Sequence, residues 1–198
     1  MINLFLGKKS KKIETQAKKL GFEDILFIKI IESMKDFDKD TKDYDVFLIK
    51  TPNIDVLRRM IDKSTSMSKK VIILGTSNEI NRIALENKKV FALLDPDYAR
   101  KKDFLDSRDS GLNQVLCKIA RDNKKEILIN LDNLTNPKNL GRTIQNFRLC
   151  KKFKTEIQLI DVHDNNSTDE IKSCYELKEM QRILLKSEHF EGRFLKSF

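Results

Sequence analysis

Residues 70–97 read KVIILGTSNEINRIALENKKVFALLDPD. An unbroken apolar run at 70–74 is stopped by Gly75, a helical pattern follows over 78–86, and a second apolar run at 90–94 ends on Asp95-Pro96. Proline cannot donate to a sheet ladder, so the second run must stop there. Strand, helix and strand in this order form a βαβ unit. Neither strand alternates polar with apolar residues, which indicates that both faces are covered, as in a parallel sheet.

The same rhythm extends both ways. Apolar runs at 2–6, 24–31, 44–50, 126–131 and 156–160 bring the strands to seven. Helical patterns lie at 11–20, 54–63, 137–153 and 168–185, with Gly21 set to end the first. Leu112, Val115, Leu116, Ile119 and Ala120 mark a further helix with one apolar stripe. An open doubly wound sheet and a closed barrel share this alternation. The strand number favours an α/β, TIM-like barrel of about seven parallel strands in a single domain over residues 1–198. Only 32–43 and 95–110 read as long loops, and neither resembles a linker.

The chain carries 39 Lys and Arg against 30 Asp and Glu, a formal charge of +9, which favours an anionic partner. Cys117, Cys150 and Cys174 are odd in number and form no C-x-x-C pair, so neither a disulfide framework nor a zinc knuckle is expected. No stretch approaches the ~20 apolar residues of a membrane span. The short apolar start, followed rather than preceded by lysines, is not a signal peptide. A cytoplasmic protein is expected.

Two basic segments stand out. Residues 99–113, ARKKDFLDSRDSGLN, lead into the helix that starts near Leu112. Asp109 or Ser110 would cap that helix, Gly111 would let the backbone approach a ligand, and the exposed amides would suit a phosphate. Arg108 precedes the cap, and Arg100, Lys101 and Lys102 share the loop; a solvated basic loop before an ordinary cap is the plainer reading. Six basic residues and no acidic one lie between Lys138 and Lys154, where a simply solvated helix would mix signs. Lys138, Arg142, Arg148 and Lys152 are expected opposite the apolar Leu140, Ile144 and Phe147. The run KKSKK at 8–12 reads as a solubilising helix start.

Catalytic signatures are missing. There is no G-x-G-x-x-G, Walker loop, G-x-S-x-G or H-E-x-x-H, and His163 and His189 are the only histidines. Asp161-Val162-His163-Asp164 ends the last strand and could begin a metal site, but the other strand ends offer few further ligands. A polar loop with a surface histidine is the simpler reading, and no catalytic or metal-ligating residue is expected.

Residues 108–120, RDSGLNQVLCKIA, resemble the hallmark of archaeal ribonuclease P protein component 3, the family of the thirty-kilodalton subunits of eukaryotic ribonucleases P and MRP. Asn81-Arg82-Ile83-Ala84 is similar to the family's Asn-Arg-x-Ala helix, residues 140–150 to its basic helix, and 170–177 to a closing Arg-Ser-Pro-Tyr-Asp-Leu motif. Lys172 stands where that motif has Arg, and Cys174 where it has Pro. The resemblance covers about 72–185, in family order. It implies a TIM-like barrel related to the polymerase and histidinol phosphatase domains, without their metal ligands. It also implies a subunit of a ribonucleoprotein whose RNA, with Mg²⁺, removes the 5′ leader from precursor tRNA. The chain would bind no cofactor itself and would pair with protein component 2, other protein subunits and the ribonuclease P RNA. Expected RNA contacts are Arg82, Arg100, Lys101, Lys102, Arg108, Asp109, Ser110, Gly111, Arg142, Arg148 and Lys172. The rival is a metal-dependent phosphoesterase using Asp161, His163 and Asp164; a third reading is an unrelated barrel enzyme acting on a phosphorylated metabolite.

Overall fold

The structure, a computed structural model, describes residues 2–38, 41–99, 102–103, 105, 108–164 and 173–186. The strands are β1 (Ile2–Leu6), β2 (Asp24–Ile31), β3 (Val46–Ile49), β4 (Lys70–Leu74), β5 (Ala92–Leu94), β6 (Glu126–Asn130), β7 (Ile157–Ile160) and β8 (Val162–Asp164). The helices are α1 (Lys11–Lys19), α2 (Ile54–Ser66), α3 (Asn78–Glu86), α4 (Gln114–Asp122), α5 (Pro137–Phe153) and α6 (Cys174–Lys186). Gly21 follows the first helix at φ 84°, the left-handed turn expected of it.

All pairings are parallel, in the order β7-β6-β5-β4-β3-β2-β1-β8. The two ends of that order are one run of chain. Ile127 to Asn130 pair with Ile157 to Ile160, and after Asp161 the strand resumes and pairs Val162, His163 and Asp164 with Leu4, Phe5 and Leu6. The sheet therefore curls until its last strand bridges β6 and β1, as the barrel reading requires and an open sheet does not. The expected polar loop at 162–164 is a strand instead. Three residues of mixed polarity carry no periodic signal, and only pairing with β1 makes them one.

The buried residues fall into two sets, as a barrel with parallel strands demands. Leu4, Ile28, Val46, Leu48, Ile72, Leu74, Leu94, Leu128 and Ile160 fill the interior. Phe47, Ile49, Ile73, Leu93, Ile127, Ile129 and Leu159, which alternate with them, pack outward against Leu57, Met60, Ile61, Leu85, Cys117 and Phe147 of the helices. Each fully buried Leu, Ile or Phe contributes roughly 1.5–3 kcal/mol. Cys117, Cys150 and Cys174 are all free thiols in this buried layer.

Two helix starts differ from expectation. The fourth helix begins at Gln114, capped by Asn113, whose side chain accepts from the Leu116 amide. Val115 is 53% exposed, so the apolar stripe is Leu112, Leu116, Cys117 and Ala120 with Ile119 at its edge. The last helix begins at Cys174, where Ser173 and Glu176 form a reciprocal capping box; residues 168–172, including Lys172, lie outside the described residues. No described helix is long and apolar enough to cross a membrane.

Candidate nucleic-acid interface

A buried asparagine fixes the loop that follows β5. Asn81 of α3 is fully buried, and its amide donates to the carbonyls of Pro96 (2.8 Å) and Gly111 (3.0 Å). The backbones meet so closely that a Cβ on Gly111 would stand 2.0 Å from the Pro96 carbonyl oxygen, and Gly111 itself sits at φ 74°. Only glycine fits both conditions. Gly75 is equally tight, its missing Cβ 2.5 Å from Pro96 Cα. Both ends of the basic loop are thus anchored to the turn after β5.

From that anchor the loop lies along α5. The Asn146 amide donates to the Ser110 carbonyl (2.9 Å), and the Gln145 amide to the Arg108 carbonyl (3.2 Å). The Arg142 guanidinium meets Asp103 Oδ1 through both Nε (2.8 Å) and an Nη (2.7 Å), and the Asp109 amide donates to the same oxygen (3.0 Å). Desolvation raises the Asp103 carboxyl, but Arg142, the Asp109 amide and the charge of Lys138 outweigh it and hold the group below the ordinary range.

The loop brings Arg108 onto the helix. Its guanidinium lies over Gly141, where a Cβ would come within 2.6 Å of Nε. Gly141, Gln145, Arg148 and Lys152 follow one another at i, i+4, i+7 and i+11, with Lys138 three residues before Gly141, so they share one face. Arg108, Lys138, Arg148 and Lys152 are all exposed. They form a cationic stripe, and α5 supplies no carboxylate to break it. Aligned guanidinium and ammonium groups of this kind suit successive phosphates.

Three comparisons bear on this geometry. No protein-family model matches the chain. Ribonuclease P protein component 3 of Methanosarcina acetivorans is 31% identical over 134 residues, 67% of this chain and 51% of that protein. The component 3 of Methanocaldococcus jannaschii is 29% identical over 150 residues, 73% of this chain and 61% of that protein. A chain in a cryo-EM structure of archaeal ribonuclease P with mature tRNA superposes with a TM-score of 0.72 at 25% identity, covering 93% of this chain and 83% of that one.

The chain is a relative of archaeal ribonuclease P protein component 3. It spans about half to three-fifths of the length of the component 3 proteins it matches. Three of the segments that resemble component 3 by sequence meet in space: Asn81 holds Gly111, and Ser110 and Arg108 lie on α5.

Within this component 3 fold the expected contacts do not all form one surface. Arg142 is 1% exposed and closed over by Asp103, so its guanidinium is not on the surface; its direct phosphate contact is replaced by a positioning role. Periodicity treats the helix alone and cannot see the loop packed on it. Ser110 and Gly111 are buried and shape the loop, and neither they nor Asp109 cap α4, whose cap is Asn113. Lys102 is exposed beside Asp103. Arg82, its side chain 63% exposed, pairs with Glu86 at 2.7 Å and lines a hollow of about 370 Å³ between α3 and the start of α4, in which no residue of the stripe takes part. Arg100, Lys101 and Lys172 lie outside the described residues. Asn81, Asp103, Gly141 and Asn146 were not singled out from the sequence, although Asn81, Gly141 and Asn146 stood inside recognised motifs.

The strand ends at the mouth where this loop is anchored hold carboxylates. Asp95 is almost wholly buried and accepts from the Asn130 amide (2.8 Å) and the Asn133 side chain (2.7 Å). Burial pushes its carboxyl up to about 7 despite the Asn130 bond, and neighbouring Asp97 and Asp132 push the same way. Asp161 is buried where β7 passes into β8. Among the described residues no three His, Cys, Asp or Glu side chains are grouped to hold a metal ion.

Proposed function

We propose that this chain is a protein subunit of a ribonuclease P ribonucleoprotein, which removes the 5′ leader from precursor tRNA, and that it supports the RNA catalyst without cleaving. The observation that carries this reading is Arg108 laid over Gly141, in line with the cations of a helix that bears no carboxylate. Its kinship with component 3 gives the surface its polyanion. Cations on one rigid face reduce repulsion between RNA phosphates drawn together, which lowers the Mg²⁺ needed for the active form. The Mg²⁺ would belong to the RNA, and this chain would need no cofactor. Its partners would be the ribonuclease P RNA, protein component 2 and the other protein subunits, with precursor tRNA reached indirectly, in the cytoplasm.

Reconstitution tests this. Arg108→Ala with Arg148→Ala should leave the fold intact and lower precursor-tRNA cleavage several-fold at limiting Mg²⁺, with recovery as Mg²⁺ is raised. Cleavage equal to wild type at every Mg²⁺ concentration would count against it. Phosphoesterase activity of the RNA-free protein, abolished by His163→Ala, would establish the rival reading instead.

A further inference from the structure

Three successive helix-to-strand turns each carry a pair of lysines at the N-terminal mouth of the barrel. Lys69 and Lys70 lead into β4, Lys88 and Lys89 precede β5, and Lys124 and Lys125 lead into β6. All six line one open hollow of about 430 Å³, together with Phe91. The Lys70 ammonium stands 5.0 Å above the Phe91 ring centre. This end of the barrel is opposite the mouth where Asp95 and Asp97 lie.

Helix-end stabilisation does not account for the pattern. Cations favour the last turn of a helix, and the effect fades beyond it. Here α2 ends at Ser66, α3 at Glu86 and α4 at Asp122, so every one of the six lysines lies past its helix. Three have internal work. Lys125 is buried and donates to the carbonyls of Val90 and Lys88, Lys69 donates to the Tyr44 carbonyl (2.6 Å), and Lys89 pairs with Asp62 (2.6 Å). Lys70, Lys88 and Lys124 are exposed around the rim. Among the described residues Glu126, near both Lys70 and Glu156, and Asp62, paired with Lys89, bring carboxylates to the cluster, fewer than its six ammonium groups.

We infer that this lysine-ringed hollow, at the mouth opposite the turn that anchors the Arg108 loop, is a second contact for RNA phosphodiesters. Neighbouring strands lie ~4.8 Å apart, so the three turns span about 10 Å. One free phosphate can satisfy one or two of these ammonium groups, whereas several linked phosphates can engage all three pairs. The half-buried ring of Phe91, which lines the same hollow, adds an apolar surface against which a base or ribose can rest. The inference takes RNA as the partner from the reading above and adds a surface to it.

Amine acetylation with and without a ribonuclease P RNA transcript tests the surface, read lysine by lysine by mass spectrometry. Lys70, Lys88 and Lys124 should react several-fold more slowly when RNA is bound. In the variant Lys70→Gln/Lys88→Gln/Lys124→Gln, log binding constant against log salt should be shallower by roughly 2–3, from about 0.7–0.9 per lost phosphate contact, with thermal unfolding unchanged. Protection at Lys138 and Lys152 with none at the rim would overturn this inference and leave the proposed function standing. Protection nowhere would sink both. Rim protection by a partner protein without RNA would also overturn it, assigning the face to protein.

Discussion

Asp95 keeps its proton near neutrality because its site removes water, and two carboxylates nearby make ionisation harder still. The consequence for stability has a definite sign. Below the ordinary carboxylate value of 3.8 the group is protonated whether folded or not. Between there and about 7 the folded form still holds the proton that the unfolded chain has released. Stability contributed by this residue therefore falls as pH rises through that window and levels off above it. Asp95→Asn keeps the oxygen that accepts from Asn130 and Asn133, so it should remove this decline and leave the variant more stable than wild type at pH 8 by roughly 2–4 kcal/mol. Urea unfolding at pH 4.5 and pH 8 checks it; parallel pH dependences for the two proteins would refute it. The Arg142–Asp103 pair makes the opposite demand. Asp103→Ala should cost on the order of 2–3 kcal/mol, less than a fully buried pair because Asp103 keeps some water. It should also weaken RNA binding, since the loop carrying Arg108 loses its tether.

The element at issue is the loop from Lys102 to Asn113 and its seat on α5. Two glycines separate its folding role from its binding role. Gly111→Ala would drive a methyl into the Pro96 carbonyl at a left-handed φ, and should destabilise by about 2–3 kcal/mol in thermal unfolding. Gly141→Ala meets only the movable end of Arg108. It should stabilise the helix by roughly 0.5–1 kcal/mol while lowering RNA affinity, because the methyl displaces the guanidinium. A variant that is both more stable and a weaker binder is hard to obtain if Arg108 has no part in binding. The α5 helix was legible in the sequence to its bounds, since Asn136-Pro137 signals the start and apolar spacing the body. The burial of Arg142 was not, because Asp103 is 39 residues away and nothing local pairs them. The start of α4 was misplaced for a related reason. Asp109 and Ser110 have capping side chains, yet the chain needs Gly111 against Pro96 before it can turn into the helix, which passes the cap to Asn113.

Over the whole molecule, the strand–helix rhythm gave a parallel α/β sheet, the strand number favoured the barrel, and the charge favoured an anionic partner. Closure was hidden, since β8 is three residues that owe their strand form to β1. The distribution of charge was hidden as well: a net +9 does not say that one set of cations lines α5 and another rings the N-terminal mouth. The stripe built from Arg108 and α5 is proposed to grip RNA phosphates. Its most direct measure is the salt dependence of binding to a ribonuclease P RNA transcript, comparing wild type with Arg108→Ala/Arg148→Ala/Lys152→Ala. With about 0.7–0.9 lost per phosphate contact, the slope of log affinity against log salt should be shallower by roughly 2–3. An unchanged slope in a variant that unfolds like wild type would contradict the account.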